Sequence, residues 1–348
     1  MKRTDLRDIS VILPVYNGAS TLEACVQSVL SAGERVAEII IVDDGSTDGT
    51  ADKADSLADK VTRIRVIHTE NHGSYTARLT GIRAAAYPCI AFIDVDDRFL
   101  SGALDVLAGL MEKYGADTAF GGYLETEIPE TWKCAAPQPR EEEISVRTPE
   151  EMWPRIMKWK TQEFACYLWN KVYRRELFSD LLEAEGLCQG DDVLLTCQYF
   201  LKARRIVETT MPVYLYVQSP ESLTRTGFGD HDLDLISVWD RIVRLMRGKG
   251  RKLYYMACFN RWRTDFTLIC RLILADSQEL DRRYAGDLEK WREGLRKHWR
   301  RLTGANAMPL NRELLVLGLR FAYIPTRTAM RLGKRMIKGW RKLYRRFR

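Results

Sequence analysis

A chain of 348 residues, 46% hydrophobic and 29% charged, is globular rather than disordered and has room for one big domain or about two ordinary ones. Its net charge of +7 is unevenly placed: residues 310–348 hold twelve Lys and Arg against the single acid Glu313, a local +11 that leaves −4 for the remainder. This excludes a basic, nucleic-acid-binding surface spread over the whole protein and points to one localised electrostatic device.

Eight scattered cysteines without a C-x-x-C pair imply reduced, buried thiols and a cytoplasmic protein. Met1 to Asp5 leads into a polar segment and lacks the apolar core of a secretory signal. Ile9 to Val15 then reads as a buried strand, closed by Tyr16 and the Asn17-Gly18 turn. Leu22, Cys25, Val26, Val29 and Leu30 recur at helical spacing. Glu38 to Val42 is a second strand, ending in Asp43-Asp44-Gly45-Ser46-Thr47-Asp48, and a helix runs from about Thr50 to Leu57. A third strand covers Arg63 to His68, a turn Asn71 to Gly73, a helix Tyr75 to Ala86 and a fourth strand Cys89 to Ile93.

Strands alternating with helices at this spacing predict βαβ units and a largely parallel sheet. One rim of that sheet gathers Tyr16, Asp43, Asp44, Asn71, Asp94, Asp96 and Asp97. A rim of this kind suits a nucleotide, yet neither G-x-G-x-x-G nor G-x-x-x-x-G-K-[ST] is present. Phosphates would therefore be neutralised by a metal and side chains instead of a glycine cradle. Three carboxylates within four residues repel one another, and Mg²⁺ or Mn²⁺ is the simplest compensation; the plain alternative is a solvated acidic loop.

The words Val11-Ile12-Leu13-Pro14-Val15-Tyr16-Asn17, Ile40-Ile41-Val42-Asp43-Asp44-Gly45-Ser46, Asn71-His72-Gly73 with Ala77-Arg78, and Phe92-Ile93-Asp94-Val95-Asp96-Asp97 stand in one order over the first hundred residues. In that order and spacing the chain resembles a family 2 glycosyltransferase of the bacterial cell-envelope type. The resemblance implies a GT-A fold: a Rossmann-like, mostly parallel mixed sheet flanked by helices, followed here by a helical C-terminal region. It implies that Pro14, Val15 and Tyr16 line a base pocket, with Tyr16 stacked on uracil and Asp44 accepting the uracil N3–H. Asn71 belongs to the same nucleotide site, and Arg78 either approaches the diphosphate or braces the carboxylates. Asp94-Val95-Asp96 matches the family's D-x-D, with Asp96 as metal ligand, Asp94 shared between metal and ribose or sugar, and Asp97 a third candidate. Ala32, Leu79 and Ala86-Tyr87-Pro88 depart from the family's usual residues without removing a group the chemistry needs.

Further along, Asp117 to Tyr123 reads as a strand, 129–146 as a surface excursion, and Thr148-Pro149-Glu150-Glu151 as a helix start. Tyr167 to Phe178 again resembles the family where it flanks sugar and acceptor: Trp169 either stacks on a sugar face or fills the core, and Lys171 is placed near the diphosphate. Asp191 and Asp192 open a helix, where acids suit the N-terminal dipole. The resemblance makes Asp192 the general base and Asp191, which replaces the commoner glutamate, its support. Ile206 to Glu208 and Val213 to Tyr216 read as two short strands. In the loop after them Arg225 is the candidate diphosphate clamp, with an exposed loop residue as the alternative.

From about Asp232 the chain turns helical. Residues 1–230 form the expected transferase domain, divided at about residue 100 into nucleotide and acceptor halves; 231–309 form a helical extension and 310–348 a basic tail. Leu314 to Ile324 is too short for a spanning helix, which needs roughly 20 apolar residues. After Pro325 the residues Met330, Met336, Ile337, Trp340, Leu343, Tyr344 and Phe347 share one helical face and Lys or Arg fill the others. That pattern predicts a peripheral anchor on the anionic inner face of the cell membrane; the alternative is a helix packed on the body or a second subunit. The resulting expectation is an inverting enzyme that moves a sugar from a UDP-sugar to a lipid-linked or polymeric glycan, with Mn²⁺ or Mg²⁺ and without nucleic acid; oligomerisation is left open. The competing readings are a haloacid dehalogenase-type phosphohydrolase, whose D-x-D context Asp97-Arg98 fits poorly, and an inactive glycan- or membrane-binding scaffold.

Overall fold

The computed structural model describes residues 8–127, 132–160, 165–184, 186–218, 227–304 and 308–346, with side chains to residue 336. Two units emerge. The first joins residues up to Met152 with Ala165–Arg225; the second joins Trp153–Phe164 with everything from Thr226. Segment 153–164, which the sequence reading placed in the transferase domain, thus groups with the helical unit.

The first unit opens with β1 (Ile9–Val15), α1 (Leu22–Ser31), β2 (Val36–Asp44), α2 (Thr50–Lys60), β3 (Ile64–Thr69), α3 (Ser74–Ala84) and β4 (Cys89–Phe92). Its apolar strand runs are buried on both faces, which is the signature of a parallel sheet covered by helices. The strands lie side by side as β3-β2-β1-β4, all parallel, so Tyr16, Asp43, Asp44 and Asp94 follow or finish strands at one carboxyl-terminal edge. Then come β5 (Arg98–Phe99), α4 (Ala103–Tyr114), β6 (Thr118–Thr126), β7 (Ile144–Arg147), α5 (Pro149–Ile156, which passes into the second unit at Trp153), β8 (Lys171–Arg174), α6 (Asp191–Phe200) and β9 (Ile206–Val217). These complete a nine-stranded mixed sheet in which β8 runs antiparallel to both β4 and β6, while β6 and β9 run parallel. On one face of the sheet Val11, Leu13, Ile39 and Ile41 pack with Cys25, Val29, Leu104 and Leu107 of α1 and α4.

The two short strands expected around residues 206 and 213 are one. Pro212 lies inside β9, opposite Gly122, where the ladder shifts register and so tolerates a residue without an N–H. Among the described residues no cysteine forms a disulfide, and Cys134 and Cys188 are exposed.

The second unit is helical: α7 (Asp234–Met246), α8 (Arg251–Ala275), α9 (Gln278–Arg283), α10 (Ala285–Thr303), α11 (Leu310–Phe321) and α12 (Tyr323–Arg346). Phe259, Phe266, Ile269, Trp291, Leu295, Val316 and Leu319 form its core. Among the described residues no helix is long and apolar enough to cross a membrane.

Candidate active site

The rim at the ends of β1 and β2 is laced together before any ligand arrives. Asn17, in the left-handed region at φ 54°, accepts the Thr47 N–H at 2.8 Å and donates its own N–H to Ser46 Oγ at 2.9 Å. Asp48 accepts the Ala19 N–H at 3.1 Å, and Thr50 Oγ1 accepts that of Gly18 at 2.9 Å. Above this lattice Tyr16 is 52% exposed, an aromatic face open at the mouth, whereas Val15 is buried and Pro14 half-buried.

Asp44 is buried and accepts the backbone N–H groups of His72 and Gly73, both at 2.9 Å. Its first duty is therefore to fix the turn between β3 and α3, which leaves Asn71 exposed at the tip. Gly73 is required here: its φ is +87°, and a Cβ would stand 2.7 Å from the Leu187 carbonyl oxygen.

Arg78 of α3 is buried and joins the two acidic groups of the site. Its Nη2 donates to Asp94 Oδ1 at 2.9 Å, its Nη1 donates to Asp191 Oδ2, and the same Nη1 lies 3.4 Å from Asp192 Oδ1. Of the two roles expected for Arg78, the structure places it in the bracing one. Asp191 also accepts the Ser74 hydroxyl at 3.0 Å, so it ties the first turn of α6 to that of α3. Ser74 was not singled out in the sequence, because a serine opening a helix reads as an ordinary cap.

Asp192 is the less engaged member of this acid pair. Its Oδ1 is buried without a hydrogen-bond partner, although the side chain keeps 23% exposure. Burial pushes its pKa up to about 6; Arg78 opposes the shift and Asp94 adds to it. A carboxylate so tuned is ionised at neutral pH yet basic enough to accept a proton.

The three acids after β4 have different surroundings. Asp94 keeps 39% side-chain exposure, and Asp96 accepts the Thr21 hydroxyl at 3.3 Å. Asp97 is turned inward, accepting the Tyr214 hydroxyl at 2.9 Å and the Val217 N–H at 2.8 Å. Burial, with Asp94 beside it, pushes the Asp97 pKa up to about 8. Both Asp97 oxygens thus face donors of the sheet instead of the open rim where the sequence placed a third metal candidate. No cluster of three or more His, Cys, Asp or Glu with metal-holding geometry exists among the described residues. Two carboxylates with hard oxygens still fit Mg²⁺ or Mn²⁺, which are bound by one or two acids together with substrate phosphates.

Two further candidates, Trp169 and Lys171, lie packed with the sheet. Trp169 is buried and stacks on Tyr167 and on Tyr214, with ring centroids 4.7 Å away in both cases, so it has no open face for a sugar. Lys171 is 1% exposed; its ammonium donates to the Tyr167 carbonyl at 2.5 Å and to Asn170 Oδ1 at 2.9 Å, in the sheet instead of at a diphosphate. The aromatics that do reach the surface are those around Trp169: Tyr123, 40% exposed, and the half-buried Tyr167 and Tyr216. Arg225 lies outside the described residues.

With this geometry in place, comparison with known proteins gives a consistent answer. Residues 10–182 match the family described as glycosyl transferase family 2. The chain is 33% identical over 223 residues to the uncharacterized glycosyltransferase EpsJ of Bacillus subtilis, a match covering 63% of this chain and 64% of that protein, just under two thirds of its length. It is 30% identical over 225 residues to the glycosyltransferase GlyG of Streptococcus pneumoniae, covering 63% of this chain and 74% of GlyG. The crystal structure of S. aureus TarS 1-349 in complex with UDP-GlcNAc superposes with a TM-score of 0.64 over 94% of this chain and 92% of that one; at 18% identity it speaks for the fold. The four sequence words, the β3-β2-β1-β4 rim they occupy and these relatives agree: the chain belongs to glycosyl transferase family 2, with a GT-A fold.

Proposed function

We propose that this enzyme is an inverting glycosyltransferase that uses a UDP-sugar and a divalent cation to glycosylate a hydroxyl of a lipid-linked or polymeric cell-envelope glycan. Its place is the anionic inner surface of the membrane. The observation that carries the reading is Asp192, a carboxylate whose buried Oδ1 accepts no hydrogen bond and lies 3.4 Å from Arg78, beside Asp94. In the reaction the acceptor oxygen forms a bond to the anomeric carbon while the bond from that carbon to the diphosphate oxygen breaks, and the electron pair leaves with UDP. The acceptor proton passes to Asp192, and single displacement inverts the anomeric centre.

Tyr16 offers a face for the uracil, and Asp44, already fixing the neighbouring turn, has lone pairs left for its N3–H. TarS bound to UDP-GlcNAc supports a UDP-sugar as donor class. Asp94 and Asp96 would hold Mg²⁺ or Mn²⁺, which when bound stabilises charge on the departing diphosphate. Arg78 keeps Asp94 and the α6 acids in register across the site.

The test pairs binding with turnover. UDP-sugars with Mn²⁺ are expected to raise the melting temperature of both the wild type and Asp192→Asn. Transfer by the variant should fall by about 10²–10⁴-fold, the range a positioned base supplies. Full transfer by Asp192→Asn would remove the base assignment, and failure of every UDP ligand to stabilise the wild type would remove the donor class.

A further inference from the structure

Helices α11 and α12 are turned the wrong way round for water. The inner side of α11 buries Val316 and Leu319, as a packed helix should. Its outer side carries Leu310, Leu314 and Phe321, which recur at i, i+4 and i+11 and therefore form one stripe. On α12 it is the cations that face the body. Arg327 reaches Asp281 at 2.6 Å, Arg331 reaches Asp281 at 2.8 Å, and Arg335 reaches Asp276 at 2.6 Å. Lys334 donates to the Leu274 carbonyl. Arginines at i, i+4 and i+8, beside Tyr323 and Met330 packed against the core, thus form the docking face; Leu332 and Met336, at i and i+4, are left outside, and Ile324 is exposed at the helix start. Leu310, Leu314, Phe321, Ile324, Leu332 and Met336 are between 53% and 72% exposed. Single exposed leucines are ordinary on a protein surface, but a stripe on α11 followed by an exposed i, i+4 pair on α12 marks a surface with a partner.

We infer that this face of α11 and α12 lies in the interfacial layer of an anionic lipid bilayer, with the α11 stripe and the α12 pair as the inserting elements. The charge of the segment selects the occupant. Residues 310–348 hold twelve Lys and Arg and one Glu, so two copies placed face to face would crowd like charges, whereas anionic headgroups complement them. No described helix can span a bilayer, so the attachment lies in the plane of the interface. The inference builds on the membrane placement proposed above and is independent of the transfer chemistry. It differs from the sequence expectation in one respect: Arg327, Arg331 and Arg335, expected among the cations free to meet lipid, are engaged with Asp276 and Asp281.

The experiment uses the full chain, sedimented with phosphatidylcholine vesicles with and without one-third phosphatidylglycerol. The wild type is expected to pellet with the anionic vesicles. Leu314→Ser with Phe321→Ser on α11, and separately Leu332→Ser with Met336→Ser on α12, should each weaken partitioning by about tenfold or more. The thermal shift produced by UDP and Mn²⁺ should be the same in all three proteins, which separates this outcome from failure of the transferase reading. Two pairs on different helices guard against one that disturbs folding. Wild-type protein that stays in the supernatant with both vesicles, or both double variants partitioning like the wild type, would overturn the proposal. So would a concentration-dependent dimer that either pair dissociates, since that result assigns the face to a second copy.

Discussion

Arg78 and Asp192 illustrate how one residue sets the chemistry of another. The guanidinium holds the acids at the start of α6 within reach of Asp94, and without it three carboxylates would face one another across a partly buried space. Burial has the larger effect on Asp192 and raises its pKa to about 6, against the ordinary aspartate value near 3.9. The sign follows directly. A base must be ionised, and the ionised fraction is lost as pH falls through 6, so transfer should decline about tenfold per pH unit below that point and flatten above it. A cation on Asp94 and Asp96 would cancel the part of the rise that comes from Asp94 and move the limb to lower pH. Measuring the rate from pH 5 to 8 at low and saturating Mn²⁺ checks both statements; a flat profile would mean that Asp192 does not take the proton.

At the scale of elements, most of the nucleotide-facing part was legible because its strands are uninterrupted apolar runs and its rim residues follow them at once. Asp94, Asp96 and Asp192 are chemical groups in loops and helix starts, where sequence position nearly fixes spatial position. Trp169 and Lys171 were not legible in that way. An aromatic or a lysine in a strand faces either the core or the site, and only tertiary packing on Tyr167, Tyr214 and Asn170 decides which. The single β9 was illegible for a related reason, since a proline interrupts strands in general and Pro212 is a tolerated bulge residue in this sheet. The tolerance depends on the Gly121-Gly122 pair opposite: a Cβ on Gly122 would stand 2.5 Å from the Thr210 carbonyl oxygen. Gly122→Ala should therefore force the β6–β9 backbone apart and cost about 1–3 kcal/mol, whereas Gly109→Ala within α4, with nothing within 4 Å, should be neutral or stabilising by up to about 1 kcal/mol. Chemical denaturation of the two variants distinguishes these cases. Equal stability would mean that the ladder relaxes at no cost.

Across the whole molecule, charge is segregated: +11 on residues 310–348 and −4 on everything before them. The first part of that tail is already committed internally, because Arg327, Arg331 and Arg335 neutralise Asp276 and Asp281 within the helical unit. Attraction to an anionic surface must then come from the remaining cations, and it acts over a Debye length of about 8 Å at physiological salt and about 3 Å at 1 M. The exposed apolar side chains of α11 and α12 respond in the opposite sense, since burial of hydrocarbon is not screened and is strengthened by salting-out ions. The two contributions therefore separate under salt. Raising NaCl from about 0.1 M to about 1 M should weaken partitioning into phosphatidylglycerol vesicles without abolishing it. The salt-resistant part that persists should fall further in Leu314→Ser with Phe321→Ser. If high salt releases the wild type completely, the attachment is electrostatic alone and the exposed leucines serve something other than the bilayer. If salt has no effect, the basic tail does not face lipid, and the hydrocarbon of α11 and α12 suffices to hold the protein on the vesicle.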